Sequence, residues 1–348
     1  MYVAVTGASG FIGSHVVAAL RAKGHSVRCL VRDTAKTEGA LALHGLDGDD
    51  QVDIAVADLT DTDALRSGLS GVDAVVHVAA VFSLNPNDAQ MMAEVNPGSV
   101  RAIIEIAEEL ELSKIVYVST MGVFIPISAA HVDQTTSLSP GCGPYTESKV
   151  AAEKVAREAV ERGAPVVSVY PGAVLGPRDP NPDLSDSQVF VRDAVKGKIP
   201  MGVKNANLPI IDVRDVAAVC AGAVEGGTSS RYLVPGETTL MTEAFEMLSS
   251  ITGNTMKIRN APAFMFTAMG AMADGMSKIT KKKMPVTGES IRMLISGAEH
   301  VDATYGWDEA KNDFGVPGFD TETTLRDTVT WLHSAGHLSD KEAGTAAS

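Results

Sequence analysis

The ten residues after the first apolar run, "TGASGFIGSH" (6–15), constrain this chain more than any other stretch. "YVAVT" before them has the length and β-branched content of a buried strand, and the apolar spacing after them predicts a helix from about Phe11 to Lys23. Gly7, Gly10 and Gly13 fall at the junction. The first permits a tight turn, the second lets the backbone approach a pyrophosphate, and the third allows close packing of helix on sheet. Free N–H groups and the positive dipole end of the helix then face the phosphates. The spacing is G-x-x-G-x-x-G rather than the commoner G-x-G-x-x-G.

The rhythm of that opening continues. "SVRCLVR", "VDIAVAD", "DAVVHVAA", "KIVYVST" and "VVSVY" read as further Val-rich strands, with helices expected near Asp61–Gly68, Asp88–Leu112 and from Tyr145 to just before "RGAP". Alternating strands and helices of this kind predict an α/β fold, a doubly wound parallel Rossmann sheet covered on both faces. After "YPGAVLGPRDPNP" the rhythm breaks, and "LPIIDV" and "RYLVPG" read as late strands returning to the sheet. The expected division is a dinucleotide-binding domain over 1–175, rejoined by 208–235. A smaller, mainly helical substrate lobe over 176–207 and 236–335 and a frayed tail over 336–348 complete it.

Composition narrows the function. A net charge of −14 offers no basic stripe for nucleic acid. Cys29, Cys142 and Cys220 are too few and too scattered for a disulfide framework or a metal clamp, which points to a reducing cytoplasm. No secretory leader is expected, and no run approaches 18 apolar residues, so no membrane span is expected either. His333 and His337 have i, i+4 spacing but no third ligand, so no metal site is expected.

"TGASGFIGSH", "HVAA" (77–80), "STMGVF" (119–124), "YTESK" (145–149), "YPGAVLGP" (170–177) and "IDVRDVA" (211–217) occur in one order. In that order they resemble the extended short-chain dehydrogenase/reductases of the NAD-dependent epimerase/dehydratase type. With "VRCLVRD", the chain is most similar to the dihydroflavonol-reductase-like carbonyl reductases. The resemblance implies a nicotinamide cofactor, NADP with NAD as the alternative. It places Ser9, Phe11 and Ile12 with the three glycines around the pyrophosphate and Arg32 at the 2′-phosphate, with Asp33 turned into the following loop. It also assigns Asp58 and Leu59 to the adenine and Val78, Ala79 and Ala80 to the sheet edge beside the nicotinamide. Pro171, Gly172 and Val174 belong to the loop against its carboxamide. His77 is expected to be a core or edge residue.

Tyr145 and Lys149 share one helical face four residues apart. A free phenol is a poor base at neutral pH, and a neighbouring ammonium lowers its pKa. In the expected reaction Tyr145 exchanges a proton with the substrate oxygen, and Lys149 binds the nicotinamide ribose. By resemblance Thr120 is the catalytic hydroxyl, where serine is usual, with Ser119 beside it, and Asn96 is a candidate for a proton relay. The position ahead of Pro171, often arginine in relatives, is Tyr170.

The expected activity is reduction of an aldehyde or ketone, reversible as alcohol oxidation. Sugar-nucleotide epimerisation or dehydration is the alternative. "NANLPIIDVRDV" places Leu208 and Pro209 where sugar-nucleotide relatives carry an arginine for the diphosphate, although Arg178, Arg192, Lys196 and Lys204 offer other cations. A hydroxysteroid dehydrogenase-like enzyme is a further variant, and a non-catalytic dinucleotide sensor is disfavoured by the Tyr145–Lys149 pair. Met265, Met269, Met272 and Met276 form a helical stripe, read as a packing face or a homodimer contact. Other readings of that stripe are an adaptable wall of an apolar pocket and, with Lys281–Lys283 following, a membrane-surface contact.

Overall fold

The computed structural model describes residues 1–280 and 287–347. Strand β1 (Tyr2–Thr6) leads to helix α1 (Phe11–Ala22), β2 (Ser26–Val31) to α2 (Thr34–Ala42), and β3 (Val52–Val56) to α3 (Thr62–Leu69). β4 (Ala74–His77) leads to α4 (Ala89–Glu109). β5 (Lys114–Val118) and the short β6 (His131–Val132) precede α5 (Pro144–Glu161) and β7 (Val166–Pro171). β8 (Ala173–Leu175), α6 (Asp186–Val195), β9 (Met201–Val203), β10 (Asn207–Asp212), α7 (Val213–Glu225) and β11 (Arg231–Val234) follow.

β1–β5, β7 and β11 form one parallel seven-stranded sheet in the order β11-β7-β5-β4-β1-β2-β3. Successive side chains alternate between faces. Val3 and Val5 of β1 pack with Val16, Val17 and Leu20 of α1 and with α7 on one face. Ala4 points the other way, into a core built with Leu65 and Leu69 of α3, Ile103 and Ile104 of α4 and Ala152 and Ala156 of α5. Burial on both faces is why these strands are runs of Val and Ile rather than alternating with polar residues.

β12 (Glu237–Leu240), α8 (Met241–Thr252), β13 (Arg259–Ala261), α9 (Ala263–Thr280), α10 (Gly288–Glu299), β14 (Thr304–Tyr305), α11 (Asp308–Phe314), α12 (Thr321–Ser334) and α13 (Asp340–Ala343) complete the chain. A second core gathers Leu175, Val191 and Val195 with Phe245, Leu248, Ile291, Leu325 and Val329.

Four expectations need correction. "LPIIDV", as β10, does not rejoin the main sheet: it pairs with β8 and β12 in a separate three-stranded sheet, and only α7 and β11 return. The tail is folded. Leu338 and Ala343 are buried in the second core, Ser339 and Glu342 cap the last helix reciprocally, and the Thr345 hydroxyl donates to the Ile251 carbonyl. Helix α2 was not expected; it starts because Asp33 accepts the Lys36 N–H as its N-cap. The methionine stripe packs only in part: Met269 lies against the second core, whereas Met265, Met272 and Met276 are exposed alongside Phe264 and Ile279. Lys281–Lys283 lie outside the described residues.

Candidate active site

Gly7 adopts φ +73, and a Cβ there would lie 2.9 Å from the Ala79 backbone nitrogen, so the first turn presses directly on the segment after β4. A Cβ on Gly13 would lie 2.1 Å from the Gly7 carbonyl oxygen, which fixes glycine where α1 meets the turn. Gly10 caps α1 with no side chain over the helix end. Ser9, Ile12 and the backbone of Phe11 surround that end, while the Phe11 ring turns inward against His15. The result is a bare helix N-terminus at the carboxyl edge of a parallel sheet, which suits a dinucleotide pyrophosphate. Beside it, the Thr6 hydroxyl accepts the Ala79 N–H and pairs with buried His77, whose pKa burial pushes down to about 3. His77 is thus a neutral core residue, while Val78, Ala79 and Ala80 run outward along the edge.

At the end of β2 the two charges part company. The Asp33 carboxylate is engaged in capping α2, whereas Arg32 is 80% exposed and 3.9 Å from Asp58. Asp58 accepts both the N–H and the hydroxyl of Thr60, which hold its carboxyl below the usual range. Leu59 beside it is half-buried against the core under β2 and β4. Val174 lies on β8 opposite Ile211, packed on the core that α1 covers.

Tyr145 and Lys149 lie on the first turns of α5, which opens with Pro144 at its first position. The Lys149 ammonium donates to the Val118 carbonyl (3.1 Å) and sits over the Tyr117 ring; burial pushes its pKa down to about 8. Tyr145 packs edge-on against Phe82. Burial drives its pKa up to about 12; a hydrogen bond with Thr120 works against the rise and the charge of Glu289 adds to it. The expected depression of the phenol by its lysine is not found: the Lys149 ammonium is turned to the Val118 carbonyl and the Tyr117 ring, and burial sets the direction. Thr120 and Ser119 leave β5 on opposite sides. Thr120 lines a cavity, whereas the Ser119 hydroxyl is buried.

That cavity, of about 320 Å³, lies against Thr120, Pro171 and Gly172. Its walls include Phe124, Ile127, Leu208, Pro209, Met293 and Leu325. Thr120, Ser187, Asn207, Ser290 and Tyr305 supply its polar side chains, and among the described residues no charged side chain lines it. Arg178, Arg192, Lys196 and Lys204 are not among the lining residues, nor is any methionine of the α9 stripe.

Residues 3–234 match the model of the NAD dependent epimerase/dehydratase family. The chain belongs to that family. Sterol demethylase protein B of Methylococcus capsulatus is 29% identical over 97% of this chain and 100% of its own length. Cinnamoyl-CoA reductase 1 of Oryza sativa subsp. japonica is 30% identical over 72% of this chain and 75% of its own. Dihydroflavonol 4-reductase of Hordeum vulgare is 30% identical over half of this chain and 53% of its own. Among solved structures, gox2253 superposes with a TM-score of 0.78 at 28% identity, covering 97% of this chain and 99% of that one. This epimerase/dehydratase family member is therefore an extended short-chain dehydrogenase/reductase and an NAD(P)-dependent enzyme of the oxidoreductase type.

Three residues at the family site escaped the sequence reading of their roles. Asn96 uses its whole side chain structurally: its oxygen accepts the Val81 N–H, and its nitrogen donates to the Val81 carbonyl and the Ser148 hydroxyl. It braces the segment after β4 against α5 with both of its N–H donors engaged. Glu153, one turn beyond Lys149, is fully buried and accepts the Tyr170 hydroxyl (2.6 Å) and Arg157. Glu289 reaches α5 from α10, 143 residues away from the nearer of its two backbone donors. Glu153 had a signal, a second i+4 step on the Lys149 face; Glu289 had none.

Proposed function

We infer that this enzyme is an NADPH-dependent reductase of apolar, uncharged aldehydes or ketones, working in reverse as an alcohol dehydrogenase. The cavity carries this reading. It touches Thr120, the expected catalytic hydroxyl, and among the described residues no charged side chain lines it. A nucleoside diphosphate buried there would lose its hydration without gaining a cation, whereas an apolar body gains from desolvation. Sugar-nucleotide chemistry is disfavoured for that reason.

The nicotinamide, when bound, supplies or takes up hydride. Thr120 positions the substrate oxygen and Tyr145 donates the proton to it. A phenol held well above its ordinary pKa stays protonated through neutral pH, so it suits the donor role of reduction. Lys149, held by the Val118 carbonyl over the Tyr117 ring, binds the nicotinamide ribose. Arg32, exposed at the end of β2 while Asp33 is spent on a helix cap, supports NADPH over NADH. Relatives named for a sterol and for cinnamoyl-CoA and dihydroflavonol reduction favour ring-bearing substrates.

The test is cofactor consumption with ketosteroids, cinnamaldehyde-type enals and aromatic ketones, using Tyr145→Phe as the control. NADPH oxidation that falls by roughly 100-fold or more in the variant, with cofactor binding retained, is expected from loss of a general acid. Wild-type rates in Tyr145→Phe would remove Tyr145 from the chemistry. Turnover of nucleoside-diphosphate sugars alone would replace the reductase reading.

A further inference from the structure

The catalytic helix α5 cannot cap itself. Gly143 at its N-cap has no side chain, Pro144 has no N–H, and the N–H groups of Tyr145 and Thr146 have no carbonyl one turn back within the helix. Both N–H groups donate to the carboxylate of Glu289, at 3.1 and 2.7 Å, and the Thr146 hydroxyl adds a third bond at 2.9 Å. Glu289 is 3% exposed. It reaches this far because residue 143 is glycine: a Cβ there would lie 2.6 Å from the Glu289 carboxyl carbon.

Glu289 is also in the first turn of α10, the helix that presents Ser290, Met293, Leu294 and Gly297 to the cavity. The side chain that completes the start of the catalytic helix therefore comes from the helix that walls the cavity.

We propose that Glu289 is a positioning residue: from the cavity-lining helix it clamps the backbone of Tyr145 and sets a negative charge behind the phenol. This rests on the reading of Tyr145 as the proton donor. The clamp has two consequences. It ties the phenol's position to the wall that substrate touches, and its charge opposes the phenolate, so the proton stays on Tyr145 in the reducing direction. The direction of the Tyr145 pKa agrees, since Glu289 is among the causes of its rise.

The other groups near this pair are fixed. Toward the core the phenol meets Thr120 and Tyr117 from β5 and its turn, with Phe82 edge-on, while Lys149 of α5 turns to the Val118 carbonyl and the Tyr117 ring. Around Glu289 lie the Cys142 thiol and Arg292, which donates to the Cys142 carbonyl. Asp274 of α9 accepts the neighbouring Gly288 N–H.

The experiment uses full-length protein labelled with 13C at the tyrosine ring carbon bearing the hydroxyl, with Tyr145→Phe assigning the resonance. In Glu289→Gln the Tyr145 titration should move to lower pH, a several-fold rise in its acid dissociation constant. The pH profile of alcohol oxidation should move with it. An unchanged or upward-moving titration in a folded variant overturns the proposal, whatever the activity. Amide hydrogen exchange of wild-type protein needs no variant: Tyr145 and Thr146 N–H exchanging as fast as free amides would overturn it as well. Tyr145→Phe with normal turnover would instead defeat the donor reading while leaving the titration result standing.

Discussion

Lys149 carries its charge where burial penalises it most, and Glu153 is the group that opposes the penalty. The sign follows. Burial lowers the lysine pKa to about 8, and the carboxylate one turn away raises it. Glu153→Gln removes the opposing charge, so the ammonium loses its proton at lower pH still. The alkaline limb of kcat/KM for NADPH-dependent reduction should therefore move to lower pH, with activity recovered on acidification. A pH–rate series on the two proteins checks this, and an unmoved limb would leave Glu153 with a packing role alone. At this scale the sequence was legible where function needs neighbours on one helix face: Tyr145 and Lys149 stood out by spacing. Asn96 was visible too, but a sequence cannot show that both of its side-chain N–H donors are engaged by Val81 and Ser148.

The elements of the cofactor half were read nearly to the residue, since strands buried on both faces leave unbroken Val and Ile runs and glycine marks their ends. Two elements were lost for opposite reasons. In α2, "TAKTEGALA", only Thr37, Ala40 and Leu41 are buried, so its pattern is faint and the cap at Asp33 is the only strong signal. In β10 the apolar run was plain, but a strand does not announce which sheet it joins. The start of α2 also decides a cofactor question. With Asp33 committed to the cap, Arg32 is the charged group left outward at the end of β2. Arg32→Ala should weaken NADPH by roughly 10- to 100-fold, the scale of a lost charge-assisted contact, and leave NADH nearly unchanged. Fluorescence titration with both cofactors measures this; equal losses would take Arg32 away from the 2′-phosphate.

For the whole molecule, the decisive geometry is a seam. The chain leaves the main sheet after β7 and enters the three-stranded sheet at β8 with one residue between, Gly172. It makes the same passage again from β11 to β12, through Pro235 and Gly236. The two passages touch, with the Gly172 N–H donating to the Val234 carbonyl. A Cβ on Gly172 would lie 2.4 Å from the Pro209 oxygen and 2.6 Å from that of Pro235; one on Gly236 would lie 1.8 Å from the Ile210 oxygen. Those obstacles are backbone, which cannot swing aside. Gly172→Ala should therefore lower kcat by about 10-fold or more through misalignment, and weaken NADPH as well, since the same loop is expected against the nicotinamide carboxamide. Equilibrium cofactor binding set beside kcat reads the two effects separately, and unchanged kcat would show that the seam tolerates a methyl. A joint of bare main chain also offers no side chain to replace. Apart from the Glu289 clamp on α5, the walls of the cavity can be rewritten by mutation, one substrate traded for another, while the coenzyme half keeps its form.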